Sequence, residues 1–234
     1  MAQVIIGNNT GDDFLGLQDN RIDTIQVTYN HGLHTHGYAG HNGSTYTLKE
    51  LQRWLLDDIP AGASCDTAVL SLYDNNWASR TADCTITIYQ IAAANTGWVE
   101  GTQSDGAEVG SPCWGHKIYN SVTWAGSDGC STADTDYINT SLGSAVFTDG
   151  VSGYRTITFN AAGKLVLADW FGDATNDGLI LTGAGSGAYW TEWESRQGDD
   201  GKRPFLTINY TVGGGLSILQ LAQSLGGNAN VMTA

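Results

Sequence analysis

The sequence predicts an all-β fold, a sandwich or barrel of many short strands, and three observations carry that prediction. Short apolar segments with two-residue alternation recur between clusters of Gly, Asn, Asp and Ser. The chain holds 31 Gly while only 15% of its residues are charged, a turn-rich composition poor in helix formers. Ten Tyr and eight Trp, within a hydrophobic fraction of 41%, provide the bulk for a proper core.

Taken in order, Val4 to Ile6 is a short apolar start. Ile25, Val27 and Tyr29 alternate with polar neighbours and predict a half-buried strand. Leu51 to Leu56 leads into a loop, residues 57–62, where Pro60 fixes the backbone. Thr67 to Tyr73 is nearly continuous apolar sequence, the pattern of a strand covered on both faces. Cys84 to Ile91 alternates with Ile86 and Ile88 on one side, and Tyr154 to Asn160 does the same with Ile157 and Phe159. Gly178 to Thr182 is short and buried, and Phe205 to Val212 closes the set with Leu206, Ile208 and Tyr210 together.

Two segments have helical spacing instead. From Ala161 to Phe171, Val166 and Trp170, like Leu167 and Phe171, lie four apart, which predicts a short helix that is stable only against a sheet. After Val212 the character of the chain changes. Gly213-Gly214-Gly215 reads as a flexible linker, and the next ten residues place Ile218, Leu221, Ala222 and Leu225 on one helical face, with Leu219 beside them. No charged residue occurs from Thr211 to Ala234. An exposed apolar face of that kind is an aggregation liability unless covered, so Ile218, Leu219, Leu221 and Leu225 are expected to dock on a partner. The predicted organisation is residues 1–50 as N-terminal strands and a His-rich loop within the sandwich, 51–212 as the sandwich proper, and 213–234 as linker and docking tail.

A formal net charge of −14 with ten Lys and Arg argues against nucleic-acid and anionic-membrane partners. No apolar run approaches the roughly twenty residues that span a bilayer. The start, Met-Ala-Gln-Val-Ile-Ile-Gly, has neither a basic region nor a long apolar one, so synthesis and use without secretory export are expected. Cys65, Cys84, Cys113 and Cys130 lack zinc-type spacing. They read as buried free thiols, as disulfides such as Cys65–Cys84 and Cys113–Cys130, or as bonds between subunits.

Three segments between Leu51 and Tyr210 carry a family resemblance. Arg53 to Tyr73 looks like a strand, an Ile-Pro-Ala-Gly-Ala turn (residues 59–63) and an Ala-Val-Leu-Ser-Leu-Tyr strand (residues 68–73). Trp98-Val99-Glu100-Gly101, Trp114 and Val122-Thr123-Trp124 form a W-x-E-G…W…W run. Gly178-Leu-Ile-Leu and Arg203 to Tyr210 look like a final strand pair. In their order and spacing they resemble the DNRLRE-domain family of jelly-roll modules, related to carbohydrate-binding modules. The resemblance implies a two-sheet antiparallel jelly roll with one packed helix and a C-terminal arm, used as an accessory or structural unit. Relatives occur on secreted, cell-surface and phage virion proteins, and some bind acidic polysaccharide. Residues 20–50 depart from the family in carrying a His-rich loop, and Asp19-Asn20-Arg21-Ile22 echoes the family's name outside its proper position.

Candidate sites follow from side-chain chemistry. His31, His34, His36 and His41 crowd one Gly-containing stretch, read chiefly as a polar surface loop and secondarily as a transition-metal site. Glu192 and Glu194 share a strand face near Asp199 and Asp200; the oxygens could bind a structural Ca²⁺, and a glycosidase pair is the remote reading. Trp77, Trp190 and Trp193 are candidates for stacking on sugar rings, whereas Trp98, Trp114 and Trp124 read as core or loop anchors. No nucleophile, phosphate or dinucleotide motif occurs, so no enzymatic activity and no cofactor are expected. The expected function is a virion structural subunit, in capsid decoration, collar or fibre, that docks on neighbouring subunits in a symmetric array through its terminal arms. The alternative is an extracellular carbohydrate-binding module for surface polysaccharide.

Overall fold

Alternating side chains lay most of the chain down as strand. The computed structural model describes residues 1–7, 16–41, 46–76, 80–172 and 176–213. Among them the strands are β1 (Ala2–Ile6), β2 (Leu17–Asp23), β3 (Tyr29–Asn30), β4 (His36–His41), β5 (Thr47–Trp54), β6 (Ser64–Asp74) and β7 (Cys84–Gln90). There follow β8 (Gly106–Ala107), β9 (His116–Ile118), β10 (Val122–Thr123), β11 (Gly143–Phe147) and β12 (Gly153–Thr158). The one α-helix among the described residues, α1 (Ala161–Asp169), precedes β13 (Leu179–Ala184), β14 (Thr191–Glu194) and β15 (Phe205–Thr211).

Eleven strands form one antiparallel sheet in the order β1-β15-β6-β14-β4-β5-β13-β7-β11, with β12 also on β6 and β2 also on β5. The pairs β9–β10 and β3–β8 make two small sheets. The helix is capped by Asn160, whose side chain accepts from the Gly163 N–H at 3.0 Å, and it buries Leu167 as its spacing predicts. Within the sheet, β5 pairs with β2 and β13, and β4 joins β14 to β5, so β1, β2 and β4 are woven through the same sheet as the later strands.

The principal apolar cluster brings Leu70 and Leu72 of β6, Ile157 of β12 and Leu206 and Ile208 of β15 together with Ile86 and Ile88 of β7, Leu179 and Leu181 of β13, and Leu167 of α1. A second cluster holds Ile22, Leu51, Trp98, Trp124, Cys130 and Ile180 on the other face of β2, β5 and β13. Trp98 and Trp124 are therefore packing residues, as expected, and Trp114 packs against the same cluster.

Two sequence expectations change. Ile25 and Val27 do not lie on a strand and are exposed. The Asp23 carboxylate accepts the N–H groups of Ile25 and Gln26 at 2.9 and 2.8 Å, and a turn from Gln26 O to Tyr29 N follows. Local side-chain bonding thus outcompetes the ladder that the alternation suggested. Conversely, the His-rich stretch is not simply a surface loop, because His36–His41 forms the strand β4 with Gly37 to Gly40 buried. Glycine makes that passage possible: a Cβ at Gly37 would fall on Trp193 Nε1, and Gly40 has φ +130° with the Trp190 backbone pressed against it.

The four cysteines are free thiols, so neither Cys65–Cys84 nor Cys113–Cys130 is formed. The thiols have separate local surroundings. Cys84 Sγ lies 3.9 Å from Ala39 O, Cys113 Sγ 3.8 Å from His116 Nδ1, and Cys130 Sγ 3.5 Å from Asp136 O. The docking residues Ile218, Leu219, Leu221 and Leu225, and Trp77, lie outside the described residues.

Candidate binding site

The inner face of β2 and β5 changes character along its length. Antiparallel register sets Leu17 opposite Trp54, Asp19 opposite Gln52, Arg21 opposite Glu50 and Asp23 opposite Leu48. Leu17 and Trp54 belong to the principal apolar cluster. Two residues on, the face is polar, and at its far end it opens into a cavity of about 570 Å³. Arg21, Asp23, Gln26, Tyr38, Tyr46 and Trp190 are among the side chains that line it.

The polar stretch is densely bonded. Asp19 Oδ2 accepts from Arg196 N at 2.8 Å, Glu50 Oε2 from Tyr38 N at 3.2 Å, and Glu100 pairs with Arg196 Nη2 at 3.0 Å and Gln197 Nε2 at 3.1 Å. Burial pushes the Asp19 carboxyl up to about 6, and burial with the nearby Asp19 charge pushes Glu100 up to about 8. Glu50 rises well above the carboxylate range for the same two reasons.

At the cavity, Arg21 is held by Asp23 at 3.2 Å, by Gln26 Oε1 at 3.2 Å and by Asp105 at 3.4 Å. His31 sits fully buried beneath it, its Nε2 3.2 Å from Asp23 and its Nδ1 3.1 Å from Asp105 and 2.9 Å from Ser104 O. Burial alone would raise Asp23, yet the hydrogen bond to His31, that from Gln26 N–H and the Arg21 charge bring it down to about 2. The Arg21 guanidinium lies 4.9 Å from the Tyr38 ring, and Trp190 stacks on that ring at 5.6 Å with an interplanar angle of 28°. Burial, then the Glu192 carboxylate opposite it on β14, raises the Tyr38 phenol above its ordinary range.

The candidate residues read from the sequence divide. His31, His34 and His36 come near one another, with ring centroids 6.2 and 5.8 Å apart in succession, but several of their nitrogens are engaged elsewhere. His34 Nδ1 accepts from the His36 backbone N–H at 3.2 Å, and burial followed by the Arg21 charge pulls His34 down to about 4. His36 Nε2 spans Glu192 and Glu194 at 3.7 and 3.8 Å, and His41 stacks on Tyr189. Among the described residues no three His, Cys, Asp or Glu side chains are grouped to hold a metal ion, so the four-histidine site is not assembled.

The carboxylates named for Ca²⁺ each have protein partners. Glu194 accepts from Asp199 N at 3.1 Å, Glu192 from Asn75 Nδ2 at 3.2 Å, and Asp199 and Asp200 pair with Lys202 and Arg203. Trp193 is not a sugar platform: it is fully buried in the apolar cluster, 6.4 Å from the Phe147 ring. Only Trp190 of the three candidate tryptophans reaches the cavity among the described residues.

Sequence reading missed Arg21, Asp23, Gln26, Tyr38 and Tyr46. Strands were sought by apolar alternation, and β2 buries Asp, Asn and Arg instead. The available signal was the charge alternation Asp19, Arg21, Asp23, which puts three ionic side chains on one strand face.

No protein-family model matches the chain, and no curated protein matches it either. Among the described residues no helix is long and apolar enough to cross a membrane.

Proposed function

We propose that the protein is a non-catalytic two-sheet jelly-roll module that serves as a structural subunit of a virion, docking on neighbouring subunits through the edge of its sheet and the uncharged segment beyond it. The two halves of the large sheet, joined through β4, both contribute side chains to one apolar cluster, which supports a sandwich of the kind the DNRLRE resemblance implies. The carboxylates of the polar stretch are taken up by backbone, Arg and Gln partners, as suits a rigid knob rather than a reaction centre.

The observation that carries the docking reading is β1. Among the described residues it is the terminal strand of the sheet path, pairs on one side with β15, and contains no charged residue. Val4 and Ile6 turn toward the core while Ile5 is 50% exposed. Natural sheet edges are normally blunted by charge, proline or a bulge, and an uncharged edge with an exposed Ile is suited to pairing with another chain. The uncharged sequence 212–234 follows directly from its neighbour β15.

The test has two parts. Mass spectrometry of purified virus particles should find peptides of this chain enriched over soluble lysate. Sedimentation should show the full chain self-associating or joining those particles, with Ile5→Lys and a deletion of residues 214–234 each reducing the bound fraction about tenfold while circular dichroism is unchanged. A chain that stays monomeric and absent from particles refutes the proposal.

A further inference from the structure

We propose that the outward face of β1, β15, β6 and β12 is a docking surface for a second copy of this chain. This contact goes beyond edge docking: it uses the flat outer face of these strands, and its partner is the chain itself.

Alternation defines the face. Leu70, Leu72, Ile157, Leu206 and Ile208 point into the principal apolar cluster, so the residues between them point outward. The register makes those residues contiguous: Val69 lies opposite both Thr158 and Thr207, and Thr207 lies opposite Ile5. The outer face of β2, β5 and β13 packs against Trp98 and Trp124, whereas here Ile5, Thr156 and Thr158 are exposed.

Its chemistry suits burial. In a chain with 24 Asp and Glu, residues 67–73, β1 and β15 contain no charged side chain. The one in β12, Arg155, turns to the buried Asp74 at 3.8 Å. At one end of the face, Gln3 Nε2 donates to Asn209 Oδ1 at 3.0 Å and Asn209 Nδ2 to Thr67 Oγ1 at 2.7 Å. At the other, Tyr73, Tyr154 and Phe205 form an aromatic corner with successive ring centroids 5.3 and 5.2 Å apart. The Tyr154 hydroxyl donates to Gly201 O at 2.8 Å. A partner laid here gains aromatic and aliphatic contact while these polar groups keep their bonds. Lys202, paired with Asp199 and 5.2 Å from the Tyr73 ring, borders the corner as a polar rim.

Charge selects the partner. At a net charge of −14 two copies repel one another elsewhere, and a basic partner would be drawn to acidic surface instead. An uncharged face is where like copies can meet, and a two-fold axis sets the same patch on both. Strands about 4.8 Å apart, with residues 67–73 rising about 3.4 Å each, give roughly 450 Å² in plan per copy. Twice that, roughly 900 Å², is below the about 1,200–2,000 Å² of stable complexes, so the dimer is weak, with a Kd of about 10–100 µM.

Sedimentation equilibrium of the full chain from about 5 to 500 µM should show a monomer–dimer equilibrium. Thr156→Glu and Thr207→Glu put like charges on both copies and should each weaken the dimer at least about tenfold, with circular dichroism unchanged. Val109→Glu adds the same charge at an exposed turn outside the face and should leave the dimer intact. Mixing Thr207→Glu with Thr207→Lys should restore association. Three outcomes overturn the assignment: a chain monomeric throughout, a dimer that survives both Glu substitutions, or one lost only on deleting residues 214–234, which places the contact on that segment. A chain that dimerises through this face but is absent from particles refutes the virion role alone. A particle-bound chain that is monomeric in solution refutes the dimer alone, so the two proposals fail separately.

Discussion

Arg80 and Asp74 offer the sharpest test of how the sheet is held. Both side chains are fully buried, with Nη2 3.0 Å from Asp74 Oδ2, and Asp74 lies opposite Gly153 of β12 and Trp193 of β14. The guanidinium also donates to Thr191 Oγ1 and Thr148 O, each at 2.8 Å, and to Asn76 Oδ1 at 3.1 Å. Arg80→Met keeps the apolar stem but deletes these bonds and leaves Asp74 with Arg155 Nε at 3.8 Å as its remaining cation. Stranding one partner of a buried pair costs about 3–5 kcal/mol, because the other charge stays desolvated. In a chain of this length that lowers the melting temperature by about 10 °C. Asp74→Asn should cost a comparable amount, while the double variant should be less destabilised than the sum of the two by about 2 kcal/mol. Urea unfolding followed by tryptophan fluorescence measures all three. A loss below about 1 kcal/mol for Arg80→Met, or an additive double variant, refutes the reasoning.

Three further predictions follow from the buried polar groups. Asp19, raised to about 6, and Glu100, raised to about 8, hold protons in the folded state that the unfolded chain releases near its ordinary values of about 4. Their contribution is therefore full below about pH 4 and is lost as pH rises from there through 6 for Asp19 and 8 for Glu100; the urea midpoint should fall between about pH 4 and 8, with a shallower fall in Glu100→Gln, and equal slopes contradict this. Burial pushes Cys65 up to about 11 and Cys84 and Cys130 up to about 12, so a thiol reagent at pH 8 should react slowly with the native chain yet titrate four thiols in denaturant without reductant, and fewer than four would reveal a disulfide. Asn160→Ala removes the α1 cap and should cost about 1 kcal/mol in the same urea assay, an unchanged midpoint counting against the cap.

The strands legible in the sequence are those whose buried face is apolar. Leu70 and Leu72, Ile86 and Ile88, Ile157 and Phe159, and Leu206 and Ile208 all alternate, and all are buried. Of the strands that escaped detection, β2 hides Asp19, Arg21 and Asp23, and β4 hides Tyr38 and Ala39 between two glycines. Hydrophobic periodicity cannot see such strands, because their stability comes from cross-strand partners distant in sequence, such as Glu50, Glu100, Arg196 and Trp193. The same limit explains the site. Trp190 was legible as an exposed-type aromatic, but its neighbours Tyr38 and Arg21 become a site only once β2, β4 and β14 are paired through their common sheet.

That dependence also accounts for the placing of the polar stretch. A one-residue slip of β2 against β5 would swing Asp19, Arg21 and Asp23 toward the cluster of Trp98, Trp124 and Cys130, away from the Arg196 loop, His31 and Asp105 that hold them now. The slipped register would keep the Arg21–Asp23 pair but strip Asp19 and Arg21 of their loop partners while leaving them buried, at several kcal/mol. Charge on the inner face therefore fixes the register more strictly than another row of Leu and Val would, since an apolar row tolerates either neighbour. Once fixed, the same register decides how the row ends, with Leu17 and Trp54 in the dry core and Asp23 and Leu48 at the cavity. The cavity's lining and the strand pairing are thus one constraint. It follows that Asp19→Ala or Glu50→Ala, at positions that do not line the cavity, should displace Arg21 and Tyr38 and lower the urea midpoint, and an unchanged midpoint counts against the shared constraint.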